Sequence, residues 1–293
     1  FTADLGLGLY PYLSAEYVFV RGKFFEPGVS LMSSFMPARY YRDNGSLIYR
    51  CSMLNTNISA FLKTNFHESN SMASLSLSYE KFNQLLPVGE NVELEKSDFL
   101  TSGFRYYHNS LDNNVFSSKG FMVDLNGKLI LADFDSQTNM SFFSNVDMKY
   151  SYSIGNDAFP LAINTRAFLG LSFGDNLPAE YRYYVGGNEN MFTGMNIVNY
   201  PGLSLMRRSA DNTSILTESL QYNFLKFNCL SLSAGMAAFD MNFTHFDFND
   251  SFDAFVGLSY GIKLNPFPIE ISLSRSLLND EYTFLFNVGY FIR

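Results

Sequence analysis

The chain has 293 residues and a formal net charge of −8, with 47% hydrophobic, 17% aromatic and only 16% charged residues. The charged share falls well short of the roughly 25% usual for a soluble domain. The acidic balance excludes a nucleic-acid partner, which needs a basic stripe. No run of about 18 apolar residues exists to span a membrane as a helix. Abundant Phe and Tyr, no Trp, little charge and no apolar helix together fit a transmembrane β-barrel, whose apolar residues are spread one in two along its strands.

Alternation of apolar and polar residues is the dominant signal along the chain. It opens in Asp4–Leu9, where Leu5, Leu7 and Leu9 alternate with Asp4, Gly6 and Gly8. Glu16–Phe24, Val29–Met36, Leu47–Met53 and Ile58–Phe66 follow. In Ser74–Glu80, Leu75, Leu77 and Tyr79 oppose Ser74, Ser76, Ser78 and Glu80. Leu100–Tyr107, Phe121–Leu131, Met140–Ile154 and Leu161–Phe173 continue the series. Ser214–Phe224, Cys229–Phe239, Ala254–Leu264, Ile269–Leu277 and Tyr282–Ile292 complete about fifteen predicted strands. Asn126-Gly127, often a hairpin turn, lies inside one strand here because the alternation continues on both sides.

One face of these strands carries Lys, Asp, Ser and Asn, the other Leu, Phe, Tyr and Val. That is the polar-in, apolar-out order of a membrane barrel. The connections also alternate in length: short at Lys226–Asn228, long at Asp240–Ser251, short at Asn265–Phe267 and medium at Leu278–Glu281. Short periplasmic turns and long external loops are the rule in outer-membrane barrels. With a periplasmic C-terminus, Tyr181–Leu203 and the long link Lys81–Ser97 are expected outside. An odd strand count is irregular for a single-chain bacterial barrel. The expectation is therefore an all-β, antiparallel transmembrane barrel of about sixteen strands, whose first strand precedes Phe1. It forms a single domain over residues 1–293 and is part of a longer precursor.

Tyr181–Leu203 is the longest segment without alternation. It holds Gly186, Gly187, Gly194, Pro201-Gly202 and five aromatic residues. Loops of this length are usually functional or disordered, and the aromatic content argues for packing rather than disorder. The segment is expected to fold back against the barrel.

Four stretches resemble the outer membrane protein 85 superfamily, the bacterial surface antigen barrels. Leu111–Gly120 (LDNNVFSSKG) resembles the family's D-x-x-D-N…F-P-T-x-G turn through Asp112, Asn113, Phe116, Lys119 and Gly120, with Ser117 at the usual Pro. Gly186-Gly187 with Phe192-Thr193-Gly194-Met195 resembles the family's G-G…V-R-G-F/Y loop, with Thr193 at the Arg position. Phe284–Tyr290 resembles the closing strand, with Phe284, Phe286, Gly289 and Phe291 as the signal read by the barrel-assembly machinery. Gly261–Arg275 resembles the hairpin before it. The resemblance implies a loop folded into the lumen, between strands eleven and twelve, and a seam between first and last strands that can open. It implies a barrel in the lipid bilayer of the outer membrane that anchors or translocates a passenger domain or client polypeptide. Gly186-Gly187-Asn188 and Asn212–Phe227 look most like barrels that follow patatin-like phospholipases. A stand-alone assembly-factor or secretion-partner barrel, or a passive pore, is the alternative.

No catalytic, cofactor or metal site is expected in this chain. Gly170-Leu-Ser172-Phe-Gly174 and Gly257-Leu-Ser259-Tyr-Gly261 match a nucleophile-elbow pattern. Such an elbow needs a strained strand-to-helix turn, and both segments read as strand. Cys51 and Cys229 have no motif spacing and read as free thiols. His67 and His108 fall at strand ends, and His245 falls in a loop. Asp240–Asp250 reads as a solvated loop. Arg207-Arg208 suits either a lumen carboxylate or a lipid phosphate.

Overall fold

A computed structural model describes residues 2–6, 11–19, 24–41, 47–66, 69–89, 96–113, 115–133, 140–154, 160–174, 178–187, 196–224, 227–240, 252–264, 268–278 and 280–288. The first nine strands are β1 (Thr2–Gly6), β2 (Tyr12–Val18), β3 (Glu26–Tyr41), β4 (Leu47–Phe66), β5 (Ser71–Gly89), β6 (Lys96–Asn109), β7 (Gly120–Asp133), β8 (Ser141–Ser153) and β9 (Leu161–Phe173). Three short strands follow inside one connection: β10 (Tyr183–Val185), β11 (Ile197–Val198) and β12 (Arg208–Ala210). The chain then returns to the wall with β13 (Thr213–Phe224), β14 (Asn228–Phe239), β15 (Phe252–Ile262), β16 (Ile269–Ser276) and β17 (Tyr282–Val288).

Fourteen of these strands form one antiparallel sheet in chain order, from β1 through β9 to β13 and on to β17. It is the wall of a transmembrane β-barrel. Strand pairing satisfies the backbone N–H and C=O groups that lipid cannot. The alternation read in the sequence sets the two faces. Leu75 and Leu77 on β5, Leu230 and Leu232 on β14, and Phe284 and Phe286 on β17 are exposed outward. Ser78 and Glu80 on β5, and Ser231 on β14, are buried inside.

Among the described residues the wall has fourteen strands where pattern reading predicts fifteen, because Leu47–Met53 and Ile58–Phe66 are parts of one 20-residue strand, β4. Its alternation is blurred where Met53, apolar, is buried inside while polar Thr56 lies on the outward parity with Ile58. Lys81–Ser97 is likewise mostly strand, since β5 runs to Gly89 and β6 starts at Lys96. The pattern hid this extension because Phe82 on β5 and Phe99 on β6 point inward and are buried. Asn126-Gly127 lies within β7 as expected. There the ring of Phe104 on β6 covers Gly127, so closely that an added Cβ would sit 2.0 Å from it.

The lumen is not uniformly polar. Its half towards the turns is lined by Ser, Asn and ion pairs, but the half towards the long connection between β9 and β13 holds two apolar clusters. Met53, Phe82, Phe99 and Ile130 form one wall of this interior, and Phe143, Phe168, Ile215, Ala237, Phe239 and Phe255 the other. The sequence signal is a short run of apolar residues on both parities, as in Phe142-Phe143 or Ala254-Phe255-Val256.

The two faces of the wall predict opposite responses to charge. Leu232→Arg, which points into lipid, is expected to destabilise the barrel by about 2–4 kcal/mol if it lies near the bilayer midplane. Ser231→Arg, facing the lumen, is expected to cost much less. Denaturant-dependent folding into lipid vesicles measures both.

Candidate functional site

Residues 178–187 and 196–212 of the connection between β9 and β13 form a structured insert inside the barrel. A 3-10 turn at Ala179–Tyr181 leads into a three-stranded sheet in which β10 pairs parallel with β11 and antiparallel with β12. Gly186 and Gly187 end β10 at φ 131° and 82°. A Cβ on Gly186 would sit 2.1 Å from the Ser204 carbonyl oxygen, so only glycine fits this left-handed crossing. Gly187 exchanges backbone hydrogen bonds with Tyr200, which donates to its carbonyl at 2.9 Å, and Leu203, which accepts from its N–H at 2.8 Å. Phe192, Thr193 and Gly194 lie outside the described residues.

Aromatic side chains fix the insert to both walls. Tyr183 stacks on Phe143 with ring centroids 4.5 Å apart and meets Phe168 edge-on at 5.9 Å. Gly170 of β9 provides the clearance: a Cβ there would lie 2.5 Å from the Tyr183 ring. The Tyr183 hydroxyl donates to the Ser144 carbonyl at 2.5 Å. Tyr200 meets Phe255 edge-on at 5.0 Å. On the opposite wall Tyr181 meets Phe99 at 5.1 Å and Phe82 at 6.1 Å.

Polar ties add direction to this packing. The Tyr181 hydroxyl donates to Glu80 Oε2 at 3.2 Å, while Lys128 Nζ and Thr101 Oγ1 donate to Oε1 at 2.7 and 2.8 Å. Glu80 is buried, and these three donors satisfy its carboxylate oxygens. Arg166 of β9 holds Asp147 through two hydrogen bonds of 2.9 and 3.0 Å and donates a third, of 2.9 Å, to the Asn199 carbonyl of the insert. A wall arginine thus reaches the insert, whereas Thr193 occupies the position at which the resemblance would put a loop arginine. Arg207 pairs with Glu281 between β16 and β17 at 2.6 Å, and Ser274 of β16 donates to the Pro201 carbonyl at 2.5 Å. Arg208 lies over the Phe239 ring at 6.0 Å.

The second cluster of motif residues is the turn between β6 and β7. Asp112 Oδ1 accepts from the N–H groups of Ser118 and Lys119 at 2.8 and 3.1 Å. Asn113 Oδ1 accepts from Val115 and Phe116, both at 2.9 Å. Gly120 closes the turn at φ 104°, where a Cβ would lie 2.2 Å from the Ser110 carbonyl oxygen. These constraints present Phe116 to the lumen, where it is 5% exposed.

Of the closing-strand residues, Phe284 and Phe286 lie on the outward face of β17. Gly289 and Phe291 lie outside the described residues, as do His67 and His245. His108 ends β6, accepting or donating at 2.9 Å with Ser71 Oγ and stacking on Phe121. Ser172 and Ser259 both sit within strands, β9 and β15, and not on a strand-to-helix turn. Cys51 and Cys229 are buried and not joined by a disulfide. Sequence reasoning missed Glu80, Arg166 and Glu281 as partners of the insert. A signal existed for Arg166: a lone cation on the lumen parity of β9, diagonal to Asp147 on β8.

A family model described as the OMP85 superfamily matches residues 40–292. Among solved structures, BamA from Haemophilus ducreyi lacking POTRA domains 1-3 aligns over 96% of this chain and 61% of its own, at 14% identity and a TM-score of 0.67. CdiB from Acinetobacter baumannii aligns over 95% of this chain and 50% of its own, at 11% identity and a TM-score of 0.62. CdiB from Escherichia coli aligns over 95% and 52%, at 12% identity and a TM-score of 0.60. At such identities the likeness is one of fold, and the chain spans only 50–61% of those structures. No curated protein matches the chain.

Two substitutions test how the insert is seated. Gly186→Ala is expected to cost more than about 1 kcal/mol through its positive φ. Gly170→Ala is expected to displace Tyr183 and to lower the temperature at which the folded barrel loses its heat-modifiable gel mobility. Ser172→Ala, on the same strand, is expected to leave that temperature within a few degrees.

Proposed function

The chain belongs to the OMP85 superfamily, and from that premise we propose that its barrel anchors or translocates a polypeptide at the outer membrane. The polypeptide is either an attached patatin-like passenger domain or a separate client. The observation that carries this reading is the insert. Two apolar clusters and the ties from Glu80, Arg166, Ser274 and Glu281 hold it across the lumen. A passive pore needs an unobstructed polar path, and such a plug opposes one. A plug held by many separable contacts suits a barrel that rearranges when a partner engages it.

The passenger reading is supported by the Gly186-Gly187-Asn188 and Asn212–Phe227 resemblances. In the structure Asn212 accepts from the Ser172 N–H at 2.9 Å, and its carbonyl accepts from the Asp240 N–H at 2.7 Å, clipping the base of the insert to β9 and β14. The secretion- or assembly-partner reading is favoured by the likeness to BamA and CdiB barrels. In both readings the C-terminus is periplasmic, the barrel-assembly machinery inserts the barrel through its last strand, and any catalysis belongs to an attached domain.

Removing Tyr181–Leu203 is expected to impair barrel assembly or surface delivery of the polypeptide. The milder Arg207→Ala, which frees the insert from the β16–β17 connection, is expected to reduce delivery with folding intact. If both variants deliver normally and only ion conductance rises, the passive-pore reading replaces this one. The mass of the protein extracted from its native membrane separates the two polypeptide readings. A value far above 33.3 kDa supports an attached domain, and a value close to it supports a separate client.

A further inference from the structure

The turn between β6 and β7 does more than join two strands. Its tip leans across the lumen, beneath β8, β9 and β13, to β14 and β15, four and five strands round the sheet from β7. The Phe116 ring seats against Gly261 of β15: a Cβ built there would lie 2.3 Å from the ring and 2.7 Å from Cys229 Sγ of β14. Glycine at 261 therefore makes the socket, and Phe116 covers the Cys229 thiol.

Polar contacts hold the tip along the way. Ser117 Oγ lies 2.6 Å from Ser151 Oγ of β8 and donates to Asn164 Oδ1 of β9 at 3.1 Å. Ser153 Oγ donates to the Ser118 carbonyl at 2.8 Å, and Gln221 Nε2 of β13 to the Ser117 carbonyl at 3.4 Å. A proline at 117, as in the resembling motif, would remove the hydroxyl that makes the first two contacts. The turn itself stays rigid through Asp112, Asn113 and Gly120, so it can move as one piece about its ends.

Above the turn lies a cavity of about 220 Å³, lined by Phe116 from the turn side and Pro201 from the insert side. Its far wall carries small hydroxyl side chains, among them Ser219, Ser231, Ser259 and Ser272, and the lining also includes the charged Lys149, Arg166 and Glu270. Short hydroxyls both donate and accept, so they suit the main-chain amides of an extended segment.

We propose that the Leu111–Lys119 turn is a movable floor, latched by Phe116 on Gly261 and Cys229, that controls access from the turn end to a hydroxyl-bearing subsite for extended polypeptide. The floor is independent of any client. Only the identity of the occupant rests on the polypeptide-handling reading.

Two experiments on the folded barrel in lipid nanodiscs separate these parts. The first follows the labelling of Cys229 by a water-soluble, membrane-impermeant maleimide in a Cys51→Ala background. Slow labelling is expected with Phe116 present, at least tenfold faster labelling for Phe116→Ala, and near-original labelling for Phe116→Leu, which still fills the socket. Equal rates with Phe116 present and for Phe116→Ala, in barrels that retain heat-modifiable mobility, overturn the floor.

The second uses Ser117→Cys with Ser151→Cys, whose side-chain oxygens are 2.6 Å apart, in a background with both native cysteines replaced by Ala. An uncharged heptapeptide bearing a photo-crosslinker is the probe. Crosslinking to β13–β16 is expected with the pair reduced, and a loss of at least fivefold is expected once it is oxidised. Equal crosslinking in both states, or none in either, overturns the subsite, and the first experiment still decides the floor.

Discussion

Every feature of this barrel depends on the backbone having no hydrogen-bonding partner in lipid. Fourteen strands satisfy that demand by pairing edge to edge. Once they pair, the pleat fixes each side chain as outward or inward, and a shift of one residue would exchange the two faces. Leu230 and Leu232 can then cover the lipid side only because Ser231 faces the lumen. The wall is thus specified by alternation, and its interior is whatever the second parity supplies.

That interior solves a separate problem. A lumen lined by charges is costly to close, because each buried ion needs its own partners. The cross-strand pairs Arg105–Asp124 and Arg166–Asp147, each with two hydrogen bonds, meet that need on the turn half. On the other half the strands give up polar residues for Phe, Met and Ile, so that a segment rich in tyrosine can pack as it would in a soluble core. The interior therefore passes from ion pairs and hydroxyls to close-packed aromatics along one axis.

The insert and the β6–β7 turn use the same device at opposite ends. Each is shaped by its own local hydrogen bonds, between the strands β10, β11 and β12 in the insert and to the side chains of Asp112 and Asn113 in the turn. Each presents an aromatic ring to a glycine on the wall: Tyr183 to Gly170, and Phe116 to Gly261. Each is then held by a few side-chain ties. Such an element can leave its seat without unfolding, since the contacts that shape it are distinct from those that dock it.

The strand faces and the existence of a packed loop were legible in the sequence because they depend on local pattern: period two, and aromatics among glycines. The β6–β7 turn was singled out only through the resemblance of Asp112, Asn113, Phe116 and Gly120 to a family motif. The strand number was not legible, since Met53 pointing inward broke the period in β4 and made one strand read as two. Nor were the partners of the insert, because Glu80, Arg166 and Glu281 lie 101, 33 and 74 residues from the groups they hold. Local pattern decides which way a side chain points in a strand. Only the curvature of the whole sheet decides what it meets across the lumen, and that is how Phe116 comes to rest on Gly261.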